Sequence, residues 1–449
     1  MFLPCDLRDW VPGGHIVHFI LEAVEQIPTD QFRVNHRGSG SEQYPPAMML
    51  ALLIYSYATG RFGSRTIEAA TYSDVAVRYL CANHHPDHDS ICTFRTANEA
   101  AFRAAFTTVL QLAQQLRLTK VGTISIDGTK IQANASKHAA VSYARAGEMI
   151  AQLELEVQEL IQRAQQAEAQ ETKDGLDIPA ELTRREDRKA ALQQARQVIE
   201  ARAKELAAAK QADYAAKQAI RQTQRDAGKK PRGPEPKAPS ETPEPKAQYN
   251  FTDPQSSIMK AGSGQHFEQA YNAQAAVDQA MLIVGAQVSV AANDKRELVP
   301  TMAAISPVVA SKVTAVLVDS GFYSEAAVQA VEQNSDGTST GMTVYAAVGK
   351  TSHHKTVADL LPQPEPPEPG PTASAKEKMA HRLKTKTGQQ LYKRRKQTVE
   401  PVFGIIKEVL GFRRFSLRGL KKVLLEWILV CVSYNLKRLF TLKNLPQTA

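Results

Sequence analysis

The chain of 449 residues has few cysteines, few aromatic residues and no long uninterrupted apolar run. Its four cysteines are scattered between positions 5 and 431, which excludes a disulfide framework and favours a reducing, cytoplasmic environment. The most apolar segment, residues 423–432, contains Glu426 and is far shorter than the ~20 residues of a membrane span. The first residues lack a basic start followed by an apolar stretch, so we expect neither a signal peptide nor a membrane partner.

Acidic residues are outnumbered, and the positive excess is concentrated near the end of the sequence. The whole chain has 55 Lys and Arg against 46 Asp and Glu, a net charge of +9. Residues 376–422 alone contain 15 Lys and Arg and three Glu, a net charge of +12, so the remainder is slightly acidic. A charged run is usually a solvated face, but this density favours a polyanionic partner such as DNA.

Two aspartates end apolar runs that have the composition of buried strands. Asp127 follows residues 121–126, and Asp319 follows residues 313–318. Because Asp commonly caps turns and helices, each of them alone is equally well explained as a cap. Together, at the rigid ends of strands, they are candidate ligands for a hard divalent cation, which prefers carboxylate oxygens.

Glu400 is a third candidate, in a basic segment with helical periodicity. Its apolar neighbours Val399, Val402 and Phe403 form a helical face, so we expect the carboxylate at the edge of a core. Glu400 and Lys407 are seven residues apart, or two helical turns, and share one side of the helix. Three carboxylates of this kind, beside many basic residues, predict a two-metal phosphodiester site.

Six short motifs accompany these carboxylates in a fixed order. They are Asp127-Gly-Thr-Lys130, Thr252-Asp-Pro254, Tyr271-Asn-Ala-Gln274, Asn293-Asp294, Asp319-Ser-Gly-Phe-Tyr323 and Val399-Glu-Pro-Val-Phe-Gly404. Their order resembles that of the DDE-type transposases of bacterial insertion sequences, over most of the chain. The resemblance implies a DNA transposase that binds the element ends, cleaves phosphodiester bonds by hydrolysis and joins 3′-hydroxyl ends to target DNA. It also implies that Asp127, Asp319 and Glu400 hold two Mg²⁺ (or Mn²⁺) ions.

The basic helix departs by one residue from the family's Tyr-Arg-Glu-Lys pattern. The family positions seven and four residues before Glu400 are Lys393 and Lys396 here, whereas Tyr392 and Arg395 are each one residue early. A regular helix places Lys396 one turn before Glu400 and rotates Arg395 away by about 100°, so we expect Lys396 to supply the family's positive charge. The expected DNA-phosphate contacts are Lys393, Arg394, Arg395, Lys396, Lys407, Arg413 and Arg414, with Tyr392 and Lys130 in supporting positions.

The expected fold class is α/β: an RNase H-like mixed sheet flanked by helices, an N-terminal all-α domain, and a helical coiled-coil insertion after the first core strand. The expected segments are a helical, DNA-binding domain at 1–118, the first strand at 119–137, a helical hairpin at 138–228, a flexible Pro/Lys-rich linker at 229–247, and the remaining core at 248–445 with a Pro-rich insertion at 362–371. In this order Asp127 and Asp319 lie on adjacent strands. The alternative for the N-terminal helices is a packing module without DNA contact, and the hairpin could bind DNA, a second subunit or neither.

Several alternatives remain open at the level of sequence. Cys81, Cys92 and the three histidines between them are suitable zinc ligands, but their spacing matches no standard zinc finger and favours a turn into a helix. The competing functions are an RNase H-like nuclease without strand transfer and an inactive DNA-binding or assembly protein. For a transposase the expected partners are the terminal repeats, target DNA and a second catalytic subunit.

Overall fold

The computed structural model describes residues 6–33, 43–170, 177–228, 230–231, 233–260, 266–349, 365–370 and 373–445. The described strands are β1 (Thr123–Gln132), β2 (Ala140–Ser142), β3 (Gln248–Asn250), β4 (Ser257–Lys260), β5 (Phe267–Asp278), β6 (Ile283–Ser289), β7 (Ala315–Val318) and β8 (Thr343–Ala346). The described α-helices are α1 (Ile16–Glu25), α2 (Pro46–Ala58), α3 (Ser64–Ser73), α4 (Val75–Leu80), α5 (His88–Ala97), α6 (Glu99–Gln115), α7 (Tyr143–Gln170), α8 (Ile178–Asp226), α9 (Leu298–Ala303), α10 (Pro307–Ala310), α11 (Glu325–Glu332), α12 (Ala375–Lys384), α13 (Lys386–Gly404) and α14 (Leu420–Lys443). The chain divides into two compact units, one of residues 1–134 and 255–449 and the other of residues 135–254.

The first unit is built on a mixed six-stranded sheet. Strand β5 pairs antiparallel with β1, β4 and β6, while β7 pairs parallel with both β1 and β8. The central strands β1, β5 and β7 are buried over long runs, as expected for a sheet covered on both faces. This α/β architecture was expected from the sequence, and it is consistent with an RNase H-like core.

The register of β1 and β7 determines where the two aspartates lie. Ser125 pairs with Leu317 in the parallel β1–β7 ladder. Asp127 lies two residues beyond Ser125, within β1, and Asp319 lies two residues beyond Leu317, directly after β7. Parallel pairing therefore brings both carboxylates to one region of the sheet.

Helices α1 to α6 are part of the same compact unit as the sheet. Helix α2 is apolar on nearly all sides, and residues 49–58 are buried, which is typical of a helix inside a core rather than on its surface. The C-terminal helix α14 is similarly buried from Val423 to Leu436, except at Leu424. Helices α2 and α6 both pack against α14, so the compact unit continues across the expected boundary at residue 118.

The second unit contains two long helices, α7 and α8, which pack against each other. Its core consists of Val141, Ala146, Leu153, Leu192 and Ala195. Helix α7 has 28 residues, or ~42 Å at 1.5 Å per residue, whereas α8 has 49 and is the longer arm. The short strands β2 and β3 pair antiparallel at the base of this unit. They were not predicted, because three-residue strands carry no periodic signal.

The segment after α8 is attached to that helix where it is described. Arg221 donates hydrogen bonds to the carbonyls of Gly233 and Pro234, at 3.1 Å each, and Arg225 forms an ion pair with Glu235. The beginning of the linker, which was expected to be flexible, therefore has fixed contacts. Of the second Pro-rich segment, at 362–371, only residues 365–370 are described. Within the described residues no helix is long and apolar enough to cross a bilayer.

Candidate active site

Asp127 lies within β1 and is nearly buried. Its side chain is 19% exposed, and its Oδ1 accepts the N–H of Gly128 at 2.9 Å. Its other oxygen, Oδ2, accepts a hydrogen bond from Arg395 Nη1 at 3.0 Å. The carboxylate does accept a neighbouring backbone N–H, as the capping interpretation expects, but it also has a charged partner 268 residues away in sequence.

Asp319 directly follows the last residue of β7. Its Oδ1 accepts the N–H of Gly321 at 2.7 Å, which closes a tight turn. The following helix α11 is capped by Ser324, whose hydroxyl accepts the N–H of Ala327. Asp319 is therefore not the helix cap, and among the described residues its Oδ2 has no hydrogen-bond partner.

Glu400 lies on α13, which packs against β1. The neighbours Val399 and Val402 are fully buried while the Glu400 side chain is 45% exposed, so the carboxylate is at the edge of the core, as expected. Thr398 Oγ1 lies 2.7 Å from Ser125 Oγ, and both residues are buried. This contact fixes the helix two residues before Glu400 against the strand two residues before Asp127.

Arg395 occupies a position that differs from the sequence expectation. Its guanidinium contacts Asp127 Oδ2 at 3.0 Å and Glu400 Oε1 at 3.2 Å, so it bridges the two carboxylates. Lys396, which helical spacing favoured for this place, is exposed and has no hydrogen bond or ion pair within the described residues.

The reason lies in the side of α13 that faces the sheet. Residues 395, 398, 399 and 402 follow the i, i+3, i+4, i+7 spacing of one helical face, and all four are largely buried. The sequence-based expectation considered only the angle between Arg395 and Glu400 around the helix axis. It did not include the direction in which the helix faces the sheet. The long arginine side chain reaches around the helix to Glu400 while its base stays on the face that contacts β1.

The other residues predicted to contact or support DNA make separate contacts within the protein. Tyr392 donates its hydroxyl to the carbonyl of Val318 at 3.1 Å, directly before Asp319. Lys407, in a π-helical turn after α13 (Ile405–Val409), donates to the Lys130 carbonyl at 2.9 Å. The remaining members Lys393, Arg394, Arg413 and Arg414 are exposed, with Arg394 bound to Gln279, Arg413 paired with Glu408 and Arg414 bound to Asn134.

The surroundings of Asp127 favour the protonated form of its carboxyl group. Burial raises the pKa of Asp127 to about 6; Arg395 opposes this shift, and the negative charge of Asp319 adds to it. The pKa of Tyr392 is also raised by burial, and that of Lys407 is lowered by burial. Among the described residues no three His, Cys, Asp or Glu side chains converge closely enough to hold a metal ion.

The Cys81–Cys92 segment uses its histidines in local contacts. His84 Nδ1 lies 3.0 Å from the Cys81 carbonyl, and His88 Nδ1 lies 2.8 Å from Glu68 Oε2. Asp87 caps α5 by accepting the N–H of Ser90. The segment is therefore a turn into a helix, as its composition indicated.

Gly128 is required by the space beside Asp127. A Cβ at this position would lie 2.3 Å from Nε2 of the buried Gln274 and 2.6 Å from Oδ1 of the half-buried Asp294, so both side chains would have to move. We expect Gly128→Ala to destabilise the protein by about 1–3 kcal/mol and to lower activity, because overpacking shifts β1 next to its carboxylate. Urea unfolding measures the first effect.

Gly122→Ala is the matched control, since a Cβ there meets nothing within 4 Å. A Gly128→Ala protein as stable and as active as Gly122→Ala would show that the site tolerates the extra atom.

Asp127, joined through Arg395 to Glu400 on a basic helix and close to Asp319 at the end of β7, is typical of an enzyme that acts on nucleic acid. Comparison with known families gives the particular class. Residues 5–97 match a transposase domain (DUF772), and residues 368–440 match a transposase DDE domain. The two matches support a DDE-type transposase of an insertion sequence. No curated protein and no solved structure matches it.

The two matches contain part of the site. Tyr392, Arg395, Glu400 and Lys407 lie inside the DDE-domain match, whereas Asp127 and Asp319 lie outside both matched segments. Sequence reasoning named Asp127, Asp319 and Glu400, but it missed Ser125 and Thr398. Small hydroxyl residues two positions before the carboxylates were the available signal.

Proposed function

We propose that this transposase binds the ends of an insertion sequence, cleaves phosphodiester bonds in a metal-dependent reaction and joins the 3′-hydroxyl ends to target DNA. The observation that carries the proposal is the grouping of the three acids. The parallel register of β1 and β7 places Asp127 and Asp319 in one region, and Arg395 links Asp127 to Glu400.

The residue types of the three acids suit a divalent cation, although the described side chains do not converge on one point in this conformation. Asp127 and Glu400 share the Arg395 guanidinium, and burial, with a smaller contribution from the negative charge of Asp319, raises the pKa of Asp127. Hard cations such as Mg²⁺ and Mn²⁺ prefer carboxylate oxygens, so we assign Asp127, Asp319 and Glu400 as the residues that would hold them. When bound, such ions polarise the phosphate and lower the pKa of an attacking water.

The chain's own residues supply position and charge. Arg395 keeps Asp127 and Glu400 in a fixed relation, and Tyr392 anchors α13 to the strand end that carries Asp319. The basic residues of 376–422 provide phosphate contacts, which position a nucleic acid without reading its sequence. We also propose that helices α1 to α6 contact DNA, that the α7–α8 hairpin is a coiled-coil arm, and that two catalytic subunits act together on two ends.

The decisive experiment uses end-labelled DNA from the flanks of the protein's own gene. Specific nicks at both flanks, followed by joining of the cut ends to a plasmid, are the expected products. Cutting without joining would instead identify a nuclease. Binding without any cutting would identify a DNA-binding or assembly protein.

Metal dependence should vary with pH in a defined direction. The pKa of Asp127 is raised from 3.8 to about 6, and only the ionised carboxylate is a good metal ligand. The Mg²⁺ concentration that gives half-maximal cleavage should therefore fall as pH rises through about 6 and become constant above it. EDTA should abolish cleavage.

The same shift predicts the stability of the metal-free protein. Because the folded pKa of Asp127 lies above its unfolded value, folding favours the protonated form, and stability should decrease as pH rises from about 4 to about 6. Thermal unfolding at several pH values measures this term, and Asp127→Asn should remove it. A wild-type and an Asp127→Asn protein with the same pH profile would contradict the assignment.

A further inference from the structure

Glu426 is a buried carboxylate outside the catalytic site. It lies on α14 and is 0% exposed. Its Oε2 accepts the backbone N–H groups of Ser416 and Leu417, at 2.9 Å each, and its Oε1 accepts the hydroxyl of Tyr57 at 3.1 Å. A buried charge is costly unless it is paired and hydrogen-bonded, so three acceptor contacts on one carboxylate make this a specific joint.

Arg95 supplies the opposite charge. It is also buried, and its Nη1 donates to the Tyr57 hydroxyl at 2.8 Å and to the Phe62 carbonyl at 2.9 Å. The same nitrogen lies 3.9 Å from Glu426 Oε1. Tyr57 and Arg95 belong to the segment that matches the transposase domain at 5–97, while Glu426 belongs to the DDE-domain match. The network therefore connects the two matched segments inside one core.

The backbone segment that Glu426 binds, at Ser416 and Leu417, belongs to a stretch that pairs with the end of β1. Gln132, the last residue of β1, donates its N–H to the Arg413 carbonyl at 3.0 Å and accepts the N–H of Phe415 at 2.9 Å. Asn134 donates to the carbonyl of Ser416 at 2.8 Å. Residues 413–418 thus run beside Gln132, at the end of β1. Gln132 is five residues beyond Asp127, or ~17 Å along an extended strand.

This segment carries three arginines toward solvent. Arg413, Arg414 and Arg418 are exposed, and the intervening Phe415 and Leu417 are buried. Arg414 Nη2 donates to Asn134 Oδ1 and Arg418 Nε donates to the Asn134 carbonyl, at 3.0 Å each. Guanidinium groups held in fixed positions suit the phosphate oxygens of a nucleic-acid backbone.

We propose that Glu426, together with Tyr57 and Arg95, is a positioning residue for a DNA-phosphate-binding edge formed by Arg413, Arg414 and Arg418. The inference rests on the proposed function, in that the ligand is the backbone of the DNA substrate. It adds Arg418 to the DNA surface and gives the N-terminal helices an indirect role in DNA binding. Their buried residues hold the segment that carries the arginines.

The test measures the affinity of the full chain for a fluorescent random-sequence duplex over a range of salt concentrations. Arg414→Ala and Arg418→Ala should each weaken binding and flatten the slope of log affinity against log salt by about 1. Tyr57→Phe keeps the Glu426 contacts with Ser416 and Leu417 but removes the bridge to Arg95. It should weaken binding about three- to tenfold and combine less than additively with Arg414→Ala. Glu426→Gln should have the larger effect.

Asn435→Ala is the matched control. Asn435 lies on the same helix α14 and is also buried, but it bonds the backbone of Ile283, away from the arginines. It should lower the melting temperature and leave the affinity and salt slope of the folded protein unchanged. If Tyr57→Phe behaves like this control, the network is only structural and the inference is wrong, even when Glu426→Gln fails to fold.

The outcome also separates this inference from the proposed function. A wild-type protein that cuts and joins its own element ends, but whose Tyr57→Phe variant binds DNA normally, would overturn the positioning role alone. A protein that shows the predicted coupling between Tyr57 and Arg414, yet never cuts DNA, would overturn the transposition proposal alone.

Discussion

Replacing Asp127, Asp319 or Glu400 by its amide should reduce DNA cleavage by about 10³-fold, the scale on which a single charge-stabilising group acts in an active site. The amide keeps the size of the side chain and removes the charge on which cation binding depends. DNA affinity should stay within a few-fold of wild type, because phosphate contacts and metal ligation are separable contributions.

Cleavage of end-labelled element DNA and binding of the same DNA in Ca²⁺ measure the two effects. Asp336→Asn is a suitable control, since Asp336 is an exposed carboxylate that bonds Thr338 in a surface turn. It should leave cleavage unchanged. An Asp319→Asn enzyme with near wild-type activity would refute the assignment. Asp319 is the most informative of the three positions, because its carboxylate accepts a single hydrogen bond within the described residues, from the N–H of Gly321.

The strands that carry the site could be predicted because they are long apolar runs. The apolar runs at 121–126 and 313–318, which lead to the two aspartates, overlap the observed β1 and β7. Burial on both faces leaves little room for polar residues, so an aspartate at the end of such a run is conspicuous. Strand β4 begins with Ser257 and ends with Lys260, so it is not an apolar run, and it was not predicted.

Long-range packing could not be predicted in the same way. Nothing local in α2 indicates that Tyr57 contacts a glutamate 369 residues later, because that contact depends on the tertiary fold. Helical periodicity shows that a face is apolar but does not name the element that covers it. The sequence therefore suggested a separate N-terminal domain, whereas α2 and α6 pack on α14 within one compact unit.

Arg395 shows the same limit at the scale of one helix. Spacing along the chain gives the angle between two side chains on that helix, and it correctly separated Arg395 from Glu400 by more than one turn. It does not give the rotation of the helix toward its sheet. That rotation is fixed by the Thr398–Ser125 contact and by buried Val399 and Val402.

Arg395→Ala should therefore reduce cleavage far more than Lys396→Ala. Removing the guanidinium leaves Asp127 and Glu400 without the group that fixes their relation, and a misplacement of about 1 Å in an active site can cost 10²-fold. Lys396 is exposed, so its loss should change cleavage by no more than about threefold and affect mainly the salt dependence of DNA binding.

Arg395→Lys separates charge from geometry. A lysine retains one positive charge but lacks the planar fork that reaches two carboxylates at once, so it should recover only part of the activity lost in Arg395→Ala. The measurement is the single-turnover cleavage rate at saturating Mg²⁺, with Lys396→Ala and Arg394→Ala as neighbouring controls that remove a charge from the same helix. Full recovery by lysine would mean that Arg395 acts as a charge alone. A greater loss in Lys396→Ala than in Arg395→Ala would mean that α13 rotates when DNA binds, bringing Lys396 to the position that Arg395 occupies here.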